Sequence, residues 1–291
     1  MPEVLHEAGH ILSHGFLDTL KLLPFLFFTY LLMELLEHKA GERVEKIVQK
    51  SGRVGPLLGA ALGLLPQCGF SAAAAGFYAG GVVTVGTLLA VFLSTSDEML
   101  AIFLGRGLSP RIILTVLGVK FITAALVGFL ADLLSCRRRG TVGVTELCRE
   151  EGCHCERGVL RSALHHTWRI GLFVLLINLA LEALFALAPM EALVAFLQQV
   201  PLLGILAAAL IGLVPSCAAS VAIATLYAEG VLSIGALLAG LLPGAGAGLL
   251  VLLRTHRNRR SCLLLMAVLL AVGVTVGILA ELLGLDALLQ L

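Results

Sequence analysis

The chain has 291 residues, 59% hydrophobic and 13% charged, with a mean hydropathy of +1.01 and a formal net charge of +1. A soluble domain needs roughly twice that charged fraction to cover its surface. The composition therefore excludes a soluble enzyme or a nucleic-acid-binding module and points to an integral membrane protein.

The N-terminus carries Glu3, Glu7 and three histidines where a secretory signal would be basic, so the first apolar run is expected to be retained. His6, Glu7 and His10 form "HEAGH", the pattern in which two histidines one turn apart bind zinc and the glutamate acts as base. His14 extends the same helical face. A transition-metal contact on the outer face, an exposed polar helix start and zinc-protease chemistry are the three readings of this stretch.

Apolar runs of about 20 residues follow along the whole chain, interrupted by one long polar stretch at about 136–162. In the first run Glu34 stands near the cytoplasmic end, beside Glu37 and His38, as a proton-coupling candidate or an ordinary interfacial acid paired with Lys39 or Arg43.

The stretch 64–81, "LLPQCGFSAAAAGFYAGG", is broken by Pro66, Gln67, Cys68 and Gly69. It is predicted to be two short helices folding back on each other, because neither arm, at about 13 residues, can span alone. A kink in one long helix is the alternative. Cys68 is a soft ligand at a helix start, where the dipole favours thiolate, or else a small packing residue, and Ser71 lies near it.

The next segment, 82–104, is uniformly apolar except for Ser94, Thr95, Ser96, Asp97 and Glu98. Two carboxylates among hydroxyls suit a hard cation or a proton. A polar loop at the interface is the alternative.

The polar stretch contains "CREEGCHC", in which Cys148, Cys153, His154 and Cys155 could capture one metal ion, although the spacing is not that of a zinc finger. A linker that happens to bear cysteines is the alternative.

Beyond it the chain repeats itself. At an offset of 148, Thr19 falls on Thr167 and Glu34 on Glu182; at 149, Pro66 falls on Pro215, Cys68 on Cys217, Ser71 on Ser220 and Tyr78 on Tyr227. The second hairpin thus centres on Pro215, Ser216 and Cys217, while "LPGAGAG" replaces the acidic segment. Residues 39–53, 136–169 and 254–260 hold 16 of the 20 basic residues. Lys and Arg stay on the cytoplasmic side, and the repeat counterparts of these loops are poor in both, so the copies are expected to be inverted.

The expected fold is an all-α polytopic membrane protein of two inverted repeats, about five helical segments each: 1–135, a cytoplasmic Cys/His loop 136–160, and 161–291. Broken segments at matching positions of inverted repeats point to a transport site near the midplane. That gives as substrate-binding candidates Pro66, Gln67, Cys68, Ser71, Ser94, Thr95, Ser96, Asp97, Glu98, Pro215, Ser216, Cys217 and Ser220, with Asp97, Glu98, Glu34 and Glu182 for proton coupling.

The ordered set "LKLLPFLFFTYLLMELLEHK", "LLPQCGFSAAAAGFYAGG", "FLSTSDEM", "GCHC" and "PSCAAS" resembles the ten-span heavy-metal exporter family, variously labelled arsenic efflux or manganese transporters, and is distantly similar to the arsenic permeases. The resemblance implies efflux of a metal or metalloid across the plasma membrane. One cysteine per hairpin weakens an arsenical cargo, and Asp97 and Glu98 favour a divalent cation such as manganese. No resident cofactor is expected beyond the transported ion, no enzymatic activity, and no nucleic-acid partner. The bilayer is the expected environment, and self-association is left open. An intramembrane zinc protease and a small organic anion transporter are the competing functions.

Overall fold

The computed structural model describes residues 54–65, 68–95, 97–135, 201–256 and 259–285, with scattered helical positions between 20 and 31 and between 160 and 180. Among the described residues there are ten α-helices and no strand. The first five are α1 (Gly55–Gly63), α2 (Cys68–Ala79), α3 (Val85–Ser94), α4 (Asp97–Gly105) and α5 (Pro110–Ser135). The second five are α6 (Pro201–Gly212), α7 (Cys217–Ala228), α8 (Ile234–Leu241), α9 (Ala247–Thr255) and α10 (Arg259–Leu282).

Local sequence sets most of the boundaries. Pro56 opens α1 and Pro110 and Pro201 open α5 and α6, positions where the missing N–H costs nothing. Thr84 and Ser233 cap α3 and α8 with side-chain oxygens that accept from Thr87 and Ala236. Between α2 and α3, and again between α7 and α8, the chain reverses at Gly81 (φ 71°) and Gly230 (φ 76°), residues one repeat apart. Only glycine takes that left-handed backbone without strain.

Glycine contacts give the direction of each helix. Gly55 of α1 lies against Thr87 of α3, Gly59 against Val91 and Gly63 against Ser94, so α1 and α3 run parallel. A tight turn joins α2 to α3, so α2 must return from the level of Gly63 to the level of Gly55. It does so without lying along α1, which it barely touches. The pair is a splayed hairpin whose tip stops part-way through the protein. Gly86 of α3 lies against Gly128 and Asp132, and Thr95 is reached by Lys120, so α5 is antiparallel to α3. Hence α4 continues in the direction of α3 to meet the start of α5, and α3 and α4 together form one interrupted crossing of 21 residues.

The second five helices repeat this plan: Gly212 meets Gly240, while Gly235 meets Gly277 and Glu281. The two sets are joined by reciprocal contacts, α2 packing on α9 and α7 on α4. Helices α3 and α8 sit at the centre, α8 being buried at every residue. Helices α5 and α10 are each long and apolar enough to cross a bilayer, and their outward leucines, such as Leu133 and Leu282, are exposed. Such a surface suits lipid rather than water.

Candidate ion-translocation site

The interrupted crossings define a common level inside the protein. Helix α3 ends at Ser94, Thr95 leaves helical geometry (φ −50°, ψ 125°), and α4 starts at Asp97. Ser94 and Thr95 are buried. The Ser94 hydroxyl donates to the Ala90 carbonyl at 2.8 Å, and the Thr95 hydroxyl to the Val91 carbonyl at 2.7 Å. Bonds of this kind supply an alternative to the helical ladder and assist the break. They use the hydroxyl protons, and a hydroxyl oxygen that donates can still turn lone-pair density towards a cation. Ser94 also abuts Gly63, at the tip of the first hairpin, so hairpin tip and helix break coincide.

In the second copy α8 ends at Leu241, Pro243 cannot donate to a continuing ladder, and Gly246 takes φ 51° before α9 starts at Ala247. Lys120 of α5 joins the two breaks. Fully buried, it donates to the carbonyl of Thr95 and, at 3.0 Å, to the carbonyl of Leu241. Reasoning from repeats and motifs misses this residue. Its signal in the sequence is one lysine in the middle of a 26-residue apolar helix, where an ionisable group is a functional candidate by default.

The hairpins place their cysteines alike: Cys68 is the first residue of α2 and Cys217 the first of α7. Buried Ser216 caps α7, its hydroxyl oxygen accepting from the Ala218 N–H at 3.2 Å, and Pro215 beside it is half-buried. Ser71 is fully buried on α2 with its backbone against Gly248 of α9, and Ser220 is half-buried on α7. The structure thus draws Ser94, Thr95 and the first hairpin tip together. Pro66, Gln67 and Ser96 lie outside the described residues, as do the side chains of Cys68, Asp97, Glu98 and Cys217. So do Glu34, Glu182, Cys148, Cys153, His154, Cys155, His6, His10 and His14. Among the described residues no group of three or more His, Cys, Asp or Glu is placed to hold a metal.

Contacts between the copies also mark two rims. At one, Arg106 after α4 pairs with Glu229 after α7 at 3.1 Å, both about half exposed, and Phe103 stacks near Tyr227. At the other, Tyr78 near the end of α2 stacks on His256 after α9, ring centroids 5.3 Å apart. Burial there holds the His256 imidazole below its ordinary range, favouring its neutral form. A third acid, Asp132, has a structural task. Its two oxygens accept from the Thr84 hydroxyl at 2.7 Å and the Gly86 N–H at 2.8 Å, placing a carboxylate on the N-terminus of α3.

Buried helices interrupted at one level, short paired helices and lipid-suited outer helices define a multi-pass α-helical membrane protein with a few polar groups in an apolar interior. The chain belongs to the family described as "Putative, 10TM heavy-metal exporter", which matches residues 11–181 and 155–290. No curated protein and no solved structure matches it.

Proposed function

We propose that the protein is a secondary exporter of a heavy-metal or metalloid ion in the plasma membrane, working by alternating access around the paired Pro-x-Cys hairpins. The observation that carries this reading is the meeting of a hairpin tip and an interrupted helix at one buried level, matched in the second copy and bridged by Lys120. Half-helix ends and unwound backbone at such a level replace the hydration of an ion. The cargo we favour is a divalent cation such as manganese, met by Asp97, Glu98 and the hydroxyls of Ser94 and Thr95, with a trivalent arsenical as the thiophilic alternative at Cys68 and Cys217. Proton coupling is assigned to Asp97 or Glu98.

The copies, 1–135 and 161–291, are read as inverted, and the two rims support that reading. The turn after α7 meets the turn after α4, while the turn after α9 meets the end of α2. Each copy's final half-helix therefore ends on the side where the other copy's hairpin returns. The Cys/His loop at 136–160 is proposed to capture metal on the cytoplasmic side before it enters.

The test is export of manganese and of trivalent arsenic by cells carrying four variants. Asp97→Asn and Glu98→Gln remove charge from a water-poor site and are expected to abolish manganese export. Cys68→Ser and Cys217→Ser are expected to abolish arsenic export while sparing manganese. If all four variants match the unaltered protein with both ions, the hairpins and the acidic break are packing features.

A further inference from the structure

Lys120 is the eleventh of the 26 residues of α5. Its Cα therefore lies about 15 Å from the start of that helix, half the depth of a hydrocarbon core of about 30 Å. A charge at that depth persists only where protein groups replace water. The groups replacing it include the carbonyl of Thr95, just past the end of α3, and that of Leu241, the last residue of α8.

The Leu241 carbonyl belongs to the final turn of α8 and Thr95 is the residue that caps α3, so both lie at helix C-termini, where carbonyls lack intrahelical donors and the helix dipole is negative. Helices α3 and α8 are the same element of the two copies. The protein thus aims one C-terminal end from each copy at a single mid-membrane point, and that point holds an ammonium. The residue matching Lys120 one repeat later is Leu269, also fully buried. One lysine therefore serves both ends.

Structural glue could have been neutral, since an asparagine or glutamine amide also donates two hydrogen bonds. A charged group on a flexible four-carbon stem does something an amide cannot: it neutralises a cation position and can withdraw from it. We infer that the Lys120 ammonium is a tethered stand-in for the cargo, filling the carbonyl-lined position between α3 and α8 in the unloaded carrier and yielding it to an entering divalent cation. The inference rests on the proposed reading of a cation as cargo. Carbonyl and carboxylate oxygens suit manganese-like ions, and Asp97 opens the helix only two residues beyond Thr95. Lys120 then has two effects. It competes with the cargo, keeping binding weak enough for release, and it offsets the negative helix ends while the empty carrier returns.

The experiment measures Mn²⁺ binding to the purified full-length chain, then net Mn²⁺ efflux and Mn²⁺/Mn²⁺ exchange in proteoliposomes. Lys120→Met keeps the apolar stem and removes the competing charge. It is expected to tighten Mn²⁺ binding by about tenfold or more, to keep exchange, and to slow net efflux by a similar factor. Lys120→Arg keeps the charge and is expected to bind Mn²⁺ no more tightly than the unaltered protein. Lys120→Gln, uncharged but able to donate to both carbonyls, gives the same reading as Lys120→Met should the latter fail to fold. If the unaltered protein binds Mn²⁺ and a folded neutral variant binds it equally or more weakly, the lysine is only a brace. If the unaltered protein binds no divalent cation, the cation reading falls and the inference falls with it.

Discussion

Replacing Gly212 by alanine tests the tightest glycine crossing among the described residues of the second copy. A Cβ at this position would lie 1.8 Å from the carbonyl oxygen of Gly240 and 2.9 Å from its Cα. Both are backbone atoms, so no side-chain rotation relieves the overlap. Ordinary non-bonded contact begins at about 3.5 Å, so α6 and α8 would have to separate by up to about 1.7 Å. Helix α8 is buried at every residue and packed by α10 on another face, so it cannot move without opening a gap elsewhere. Overpacking of this kind costs about 1–3 kcal/mol, and backbone against backbone belongs at the upper end. For a chain of this size about 3 kcal/mol lowers the melting temperature by roughly 5–10 °C. The assay is thermal loss of the monodisperse peak in detergent, with Gly118→Ala alongside. A Cβ on Gly118 meets nothing within 4 Å, and that variant should melt no lower than the unaltered protein because alanine favours the helix. Export should fall too, since Gly212 is three residues from Pro215 and its displacement carries the second hairpin tip with it. Identical melting of Gly212→Ala and Gly118→Ala would show that α6 and α8 do not cross this closely.

Asp132→Asn keeps the shape of the cap on α3 but removes its charge from the helix N-terminus, and should lower stability by about 1 kcal/mol with ion preference unchanged. A shift in the manganese-to-arsenic ratio exported by this variant would mean that Asp132 takes part in the translocation path. Single cysteines at Arg106 and Glu229 should react with an impermeant maleimide from outside intact cells, and a cysteine at His256 only after the membrane is opened. Labelling of all three from one side would overturn the inverted arrangement.

Much of this architecture is legible in the amino-acid sequence. Hydrophobic runs, opening prolines and the hydroxyl caps Thr84 and Ser233 are local signals, and the fold uses them locally. The hairpin at Pro66 is readable because two arms too short to span cannot both leave the membrane on opposite sides. Its splay is not readable, because it depends on what fills the gap: α9 of the other copy lies against α2, a contact between residues as far apart in sequence as Ser71 and Gly248. The hydroxyl-rich break at Ser94–Thr95 is visible as composition, but that it lies level with Gly63 requires the parallel run of α1 and α3. Asp132 is visible only as the partner of Glu281 one repeat later, since capping a helix 46 residues earlier is a tertiary fact. Lys120 escapes notice for a different reason. Self-comparison rewards positions that match, and here lysine faces Leu269.

That mismatch belongs to a pattern. The two copies agree at several residues that shape the backbone at turns, crossings and hairpins: Gly81 with Gly230, Gly86 with Gly235, Gly128 with Gly277, Pro66 with Pro215. They disagree at the common level where the breaks meet. There the first copy has Asp97, Glu98 and Lys120, while the second has a Gly-Ala-Gly run and Leu269. A two-fold scaffold gives each half-helix end a counterpart, which is what a carrier opening alternately to two sides requires. Duplicating the lysine as well would bring two ammonium groups to the same pair of carbonyls. Like charges in a water-poor interior repel strongly, because little solvent screens them. A single set of charges on a doubled backbone avoids that repulsion and leaves the second copy to contribute bare carbonyls and space. On the proposed reading of an ion carrier, the departures from symmetry mark where the ion passes, and the agreements mark the frame around it.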